Sequence, residues 1–355
     1  FILQNETKKF FLNQKIIFSC FLKLNIYFLL IILRVFSFSI LNISEMKILL
    51  LDSNHPLITE QLSAKGFLLE EDFTSSYDEV LQKINNYEGI IIRSRIPLDK
   101  NFLEKAKNLK FIARVGAGME NIDTEVAKTL GISLINSPEG NRDSVAEHVV
   151  GMLLILMNRL FIASEEVKNG IWKREENRGD ELLGKTFGII GYGNMGKATA
   201  KRLSGFGVKV IFHDLLPNLQ DEFAEQVSLE KLQQEADILS LHIPLDASTK
   251  YLVDEDFISK IKKNFYFINT ARGKNLKTSA LVKAIKEGKV LGAALDVLEY
   301  EKSSFENLET DNEDLAYLLK SDKVIVTPHI AGWTHQSKEK LAQFIVDKIV
   351  KEFSL

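Results

Sequence analysis

Three short segments each run from apolar residues into side chains suited to acid–base and anion chemistry. "FYFINTARG" places Thr270, Ala271 and Arg272 after a buried strand, "LGAALDVLEYEK" places Asp296, Glu299 and Glu301 after a second, and "VIVTPHIAGW" places His329 after a third. An arginine is always charged, and its planar fork matches a carboxylate through two parallel bonds. A histidine titrates near neutrality and can remove a hydroxyl proton while hydride leaves the same carbon. A glutamate hydrogen-bonded to that imidazole, the role open to Glu301, would orient it. Taken singly, these residues read as a surface ion pair, a solvated carboxylate and a structural histidine. Their joint position at strand ends changes the weighing, because the carboxyl ends of strands in an open α/β sheet line the ligand crevice.

The same stretch of chain carries a phosphate-binding turn. In "TFGIIGYGNMGKATAKRL", Phe187 to Ile190 predicts a strand, Gly191, Gly193 and Gly196 form G-x-G-x-x-G, and a basic helix follows at once. The glycines allow a tight turn, a close backbone approach to a pyrophosphate and close packing of helix on strand. The helix N-terminus adds free N–H groups and the positive end of its dipole. The next strand, "VKVIFHD", ends at Asp214, eighteen residues past the last glycine, where a carboxylate accepts from ribose hydroxyls and repels a 2′-phosphate. NAD is therefore expected over NADP. Methyltransferases that use S-adenosylmethionine share the turn and the acid, but need neither Arg272 nor His329.

These residues must be positioned by a larger frame. From Met46 the chain alternates apolar strands, "KILLLD", "GIIIRS", "KFIARVG" and "ISLINSP", with helices over 58–65, 100–107 and 123–130. A second alternating series runs from Thr186 to Val326. Strict alternation implies parallel sheets with crossover helices. Between the series, "DSVAEHVVGMLLILMNRL" predicts a long apolar helix capped by Asp143 or Ser144. Its Glu147, His148, Asn158 and Arg159 argue for burial against protein rather than for a membrane span. The expected fold class is α/β with two doubly wound parallel-sheet lobes, a Rossmann domain over 142–327 inserted in a flavodoxin-like domain formed by 46–141 and 328–355.

The 355 residues exceed one ordinary core. With 45% hydrophobic and 26% charged residues and a net charge of −3, the composition is that of a globular protein without a nucleic-acid footprint. The lone Cys20 excludes an internal disulfide and fits a reducing, cytoplasmic compartment. Residues 1–45 differ: they hold eight of the 23 Phe, and their apolar run is interrupted by Lys23 and Arg34. Leu24 to Leu33 is too short to span a bilayer, and no small-residue cleavage site follows. The expectation is that the folded protein starts at Met46 and that 1–45 is an extension outside the domains. No metal-ligand cluster is expected.

The stretches "RSR", "RVGAGMENID", "NSPEGN", "VAEHVVGMLL", "GIIGYGNMGK", "NTARG", "GAALDVLE" and "TPHIAG" together resemble the D-isomer-specific 2-hydroxyacid dehydrogenases, and among them the phosphoglycerate dehydrogenases, over nearly all of Met46 to Leu355. The resemblance implies Arg272, Glu301 and His329 as the catalytic Arg, Glu and His, with Glu301 rather than Glu299 in the family's position. It implies cofactor contacts at Asn194 and Met195, Asp214, Ile243, Thr270 and Ala271, Asp296 and Ala117. It implies that the turn from Val115 through Gly116 to Gly118 holds a substrate carboxylate, that Arg93, Ser94 and Arg95 face a phosphate, and that Asn141 touches substrate. Lys173 or Arg174 of a neighbouring subunit could add a phosphate contact.

The partners so implied are a small 2-hydroxy or 2-oxo acid, phosphorylated, and a second copy of the chain, a homodimer or homotetramer with the helix from Ser144 as its interface. Asn141 and Pro328 are expected near the hinges. Lys302 stands where the family has proline, and an acidic insert, Ser303 to Asp314, precedes the last strand. The 26 residues after His329 are too few for an ACT regulatory domain. Within the same class the alternative is a glyoxylate or hydroxypyruvate reductase, and on another fork of the same fold the chain would be an NAD-sensing corepressor that binds protein partners.

Overall fold

The computed structural model describes residues 46–301 and 311–353. The reading of residues 1–45 and most of that of the acidic insert therefore lie outside the described residues.

Two parallel sheets carry the fold. Strands β1 (Lys47–Leu50), β2 (Leu68–Glu71), β3 (Gly89–Ile92), β4 (Phe111–Arg114) and β5 (Ser133–Asn136) form the first, in the order β2-β1-β3-β4-β5. This is the flavodoxin-like order. Its inner strands are continuous apolar runs, as "GIII" of β3, because helices cover both faces of a parallel sheet. Sequence reading missed β2, whose "LLEE" has neither an apolar run nor alternation. Such charged, half-exposed strands are common at sheet edges, where they discourage pairing with another chain.

The second sheet contains β6 (Thr186–Ile190), β7 (Lys209–His213), β8 (Glu225–Gln226), β9 (Ile238–Leu241), β10 (Phe265–Asn269), β11 (Val290–Leu295) and β12 (Val324–Val326). Its order, β12-β11-β10-β9-β6-β7-β8, reverses between β6 and β9. Ligands bind at such a reversal, where the loops after the two strands diverge and leave a crevice. Helices Asn194–Leu203, Leu229–Glu235, Glu255–Lys260 and Thr278–Lys286 cover this sheet.

The long helix starts at Pro138 and runs to Met157, six residues earlier than a cap at Asp143 would place it. Proline at the first helical position has no N–H to leave unsatisfied, so it starts the helix without a side-chain cap. The two residues expected as caps have other partners. Asp143 pairs with Arg202 at 3.0 Å, and Ser144 Oγ donates to the Ala331 carbonyl at 2.7 Å. Asn141 accordingly lies within the helix.

Val145, Val149, Met152, Leu153 and Leu156 of this helix are buried in one cluster with Phe187, Ile189 and Phe212 of the second sheet. The apolar face expected to meet a second copy is thus covered by the chain itself. Ile155 of this helix stays exposed, and further exposed apolar side chains follow at Leu160, Phe161 and Val167 in helix Leu160–Lys168 and at Trp172 beyond it. Among the described residues no single helix is long and apolar enough to cross a membrane, and these two helices meet at a 61° bend. Arg159, with φ of 52° in the left-handed region, makes that bend.

The last helix, His335–Phe353, returns to the first sheet. Phe353 stacks on the fully buried Phe111 of β4 with ring centroids 4.7 Å apart, and Gln343 bonds Gln61 of helix Leu57–Ala64. The segment carrying His329 is therefore tied at one end to the second sheet and at the other to the first.

Candidate active site

Loops from both sheets converge on a cleft of about 1640 Å³. That exceeds the roughly 300–1,000 Å³ typical of small-ligand pockets and gives room for a dinucleotide beside a small acid. Each contributing loop follows the carboxyl end of a strand: Arg93 and Ser94 after β3, Arg114 to Glu120 at and after β4, His242 and Ile243 after β9, Thr270 to Arg272 after β10, Asp296 after β11 and His329 after β12.

The glycine turn has the geometry a dinucleotide needs. Gly191 has φ of +92°, and a Cβ there would lie 2.6 Å from the His242 carbonyl oxygen. A Cβ on Gly196 would run into the carbonyl of Gly191, so helix Asn194–Leu203 can sit this close to β6 only without one. Asp214, at the end of β7, accepts from the Tyr192 backbone N–H at 2.7 Å and from that of Leu216 at 2.9 Å. Its carboxylate is thereby held beside the turn. Asn54 Oδ1, Asn141 Oδ1, His242 Nδ1 and Thr270 Oγ1 are buried without a hydrogen-bond partner, and all four residues line the cleft. Buried polar groups rarely go unpaired, and a bound polar ligand is one way to satisfy them. The residues present fit a dinucleotide. Among the described residues no group of His, Cys, Asp and Glu could hold a metal ion.

His329 is held both at its ring and at its backbone. Its Nδ1 lies 2.9 Å from Glu301 Oε2, and Glu301 Oε1 accepts from the Leu298 backbone N–H at 2.5 Å, which fixes the carboxylate. Glu299 is turned elsewhere and accepts from the Thr278 N–H at 2.9 Å. His329 has φ of 56°, in a region that L side chains rarely adopt, so surrounding bonds must hold it there. Asp296 supplies them. Its Oδ1 accepts from Thr327 Oγ1 at 2.6 Å and Ile330 N at 2.8 Å, its Oδ2 accepts from Ala331 N at 2.8 Å, and its carbonyl accepts from His329 N at 2.8 Å. Asp296, expected as a cofactor contact, lines the cleft and also binds the loop that presents the imidazole through both carboxylate oxygens. His148 Nε2 adds a contact to Thr327 Oγ1 at 3.1 Å.

Arg272 reaches the cleft with its Nε donating to Glu120 Oε1 at 2.5 Å. Burial opposes ionisation of Glu120, but Arg272 and Arg114 override it and hold the carboxyl below the usual glutamate range. Arg114 donates from Nε to the Arg93 carbonyl at 3.1 Å. Arg93 stacks over Trp333 with its guanidinium carbon 4.5 Å from the ring. Arg95 does not reach this group. Its guanidinium donates to the carbonyls of Leu51, Ser75 and Asp72, which turn it away from the cleft.

The D-isomer specific 2-hydroxyacid dehydrogenase NAD binding domain family matches residues 150–331. The hydroxypyruvate reductase of Thermotoga maritima is 36% identical over 305 residues, 85% of this chain and 97% of that protein. The chain belongs to the D-isomer specific 2-hydroxyacid dehydrogenase family. It is thus an NAD-dependent oxidoreductase acting on a CH–OH group. The D-3-phosphoglycerate dehydrogenase of Archaeoglobus fulgidus is 34% identical, but the match takes 86% of this chain and only 57% of that longer protein. Among solved structures, a D-lactate dehydrogenase from Aquifex aeolicus complexed with NAD and lactic acid superposes with a TM-score of 0.74 at 32% identity, covering 86% of this chain and 95% of that one.

In this 2-hydroxyacid dehydrogenase the cleft gathers Arg93, Ser94, Val115, Gly116, Ala117, Gly118, Asn141, Asn194, Met195, Ile243, Thr270, Ala271, Arg272, Asp296 and His329. Gly191, Gly193, Gly196 and Asp214 belong to the turn and strand end next to Asn194, and Glu301 stands behind His329. Lys173 pairs with Glu166 at 3.0 Å on an exposed surface, and Arg174 is exposed nearby. Sequence reading missed Arg114, Glu120 and Trp333. Arg114 is the last residue of β4, so the strand-end argument that singled out Arg272 would have found it too.

Proposed function

We propose that this protein interconverts a D-2-hydroxy acid and its 2-oxo acid, and that the acid carries a phosphate: 3-phosphoglycerate and 3-phosphohydroxypyruvate, the entry to serine synthesis. The observation that carries the reading is the His329–Glu301 pair presented to the cleft that Arg272 also faces.

In this reading Arg272 and the amides of the Val115–Gly118 turn hold the carboxylate. His329 takes the proton of the 2-hydroxyl during oxidation and returns it during reduction, while Glu301 orients the ring through Nδ1. When bound, the nicotinamide accepts or returns the hydride of the same carbon. Residues 142–327 hold the cofactor and 46–141 with 328–355 hold the acid. Closure about Asn141 and Pro328 excludes water. Arg93 and Arg114 supply cationic edges for the phosphate, with Arg114 in the place expected for Arg95. A homodimer would cover the apolar face of Leu160, Phe161 and Trp172.

A second reading, hydroxypyruvate or glyoxylate reduction, is favoured by the end-to-end match to the Thermotoga maritima reductase and by the withdrawal of Arg95. NADH oxidation with a panel of 2-oxo acids tests the two. Preference for 3-phosphohydroxypyruvate supports the phosphate reading, and preference for hydroxypyruvate or glyoxylate replaces it with the second.

A further inference from the structure

Arg272 faces the cleft with its fork already engaged. Nε donates to Glu120 Oε1 at 2.5 Å, and Nη1 donates to the carbonyl of Ala271 at 2.6 Å. A guanidinium grips a carboxylate with two parallel bonds along one of two edges, Nε with Nη2 or Nη1 with Nη2. In Arg272 each of those edges has one donor in use. The two occupants differ in kind. Ala271 O is backbone of the neighbouring residue and moves only with it, whereas Glu120 is a side chain and can swing away by changing rotamer.

The surroundings make this pair a tight one. A Cβ on Gly118 would run into both Glu120 Oε2 and Arg272 Nη2, so the turn through Gly118 lies directly on the ion pair. Arg114 and Arg272 both lower the cost of charge on Glu120. The side chains of Arg272 and Glu120 are only 20% and 27% exposed, so water screens their attraction weakly. An acid that reaches Arg272 must break this contact, and it then shares the cleft with the displaced glutamate, a like charge.

We propose that Glu120 is an exchangeable counter-ion, which occupies the carboxylate-gripping edge of Arg272 until the carboxylate of the substrate takes its place. Glu120 thereby sets the affinity for the acid. It keeps Arg272 and Arg114 from facing each other without an intervening anion, and it competes with every carboxylate that enters. The inference rests on the reading of Arg272 as the carboxylate anchor.

The test uses the whole protein saturated with NADH and titrated with oxamate, an unreactive isostere of a 2-oxo acid, in Glu120→Gln, Glu120→Ala and Arg272→Ala. Glutamine keeps an amide oxygen for Arg272 Nε but removes the charge. Glu120→Gln is expected to bind oxamate about tenfold tighter, as expected when about 1.4 kcal/mol of competition is removed, and to lower KM for a 2-oxo acid more than it changes kcat. Glu120→Ala shifts affinity in the same direction, and unchanged NADH binding shows that each variant is folded. Weaker or unchanged oxamate binding in both glutamate variants, with Arg272→Ala still weakened, overturns the counter-ion role and leaves the anchor standing. Unchanged oxamate binding in Arg272→Ala overturns the anchor, and the counter-ion role with it.

Discussion

His329 Nδ1 meets Glu301 Oε2 at 2.9 Å although the two lie 28 positions apart in the sequence, and His329 sits in a loop whose backbone Asp296 pins. In the proposed mechanism the imidazole so oriented exchanges a proton with substrate.

His329→Ala is accordingly expected to lower kcat by about 10²–10⁴, the usual worth of a positioned acid or base, with NADH binding intact. Glu301→Gln keeps a hydrogen-bonding oxygen but loses the charge, and a smaller loss of about tenfold is expected. Steady-state rates and NADH fluorescence titrations check both. Equal activity of His329→Ala and the parent protein would remove the imidazole from the mechanism.

Asp296→Asn replaces one acceptor by an amide nitrogen, which cannot accept from the backbone N–H it faces. Asp296 is 1% exposed, so the lost charged hydrogen bond carries no compensation from water. A stability loss of about 2–3 kcal/mol is expected, with a fall in kcat because the strained backbone at His329 loses its restraint. Urea unfolding and turnover measure the two effects, and an unperturbed kcat would show that His329 keeps its place without Asp296.

His242 governs a pH dependence. Its Nε2 contacts Ser240 Oγ at 3.0 Å, its Nδ1 is enclosed without a partner, and burial pushes its pKa down to about 4. The unfolded chain protonates this ring near pH 6.5, about the ordinary histidine value. Folded stability is therefore complete above that pH and falls as pH drops toward about 4, because only the unfolded state takes up the proton. The loss attributable to His242 reaches up to about 3 kcal/mol across this interval. Thermal melts of the parent and of His242→Gln at a series of pH values should converge at acid pH, and parallel curves would assign the dependence to other groups.

Arg93 and Trp333 give an optical probe of the phosphate reading. The guanidinium lies 4.5 Å from the Trp333 ring, and the chain has one other tryptophan, Trp172. In a Trp172→Phe background, 3-phosphohydroxypyruvate is expected to change Trp333 emission through its contact with Arg93, and hydroxypyruvate to change it less. Arg93→Ala should abolish the difference. Identical responses to both acids would separate Arg93 from phosphate recognition.

Asp214→Ala removes the carboxylate held beside the glycine turn. Its expected effect is a higher KM for NADH and a smaller preference for NADH over NADPH, since repulsion of a 2′-phosphate goes with the charge. An unchanged ratio of the two KM values would place the discrimination elsewhere.

The α/β class and the glycine turn were legible because each rests on a local rule. A strand buried on both faces must be an unbroken apolar run, as in "GIII", and a turn that brings backbone to a pyrophosphate must omit Cβ atoms. Arg272 and His329 stood out by the same logic, as polar residues at the ends of such runs. The edge strand Leu68–Glu71 escaped notice because an edge faces water and its sequence carries no burial pattern.

What the chain alone determined, then, is the buried strands, the turn and the polar residues at strand mouths, since these follow from spacing along the backbone. Which of those residues meet was decided by the tertiary structure. Arg95 was withdrawn by carbonyls of Leu51, Ser75 and Asp72, Asp143 was drawn to Arg202, and Glu120 was brought to Arg272 across 152 residues of chain. The physical reason is common to all three. A charged side chain settles on whatever opposite charge or dipole lies nearest in three dimensions, and leaving it unpaired costs more the more deeply it is buried.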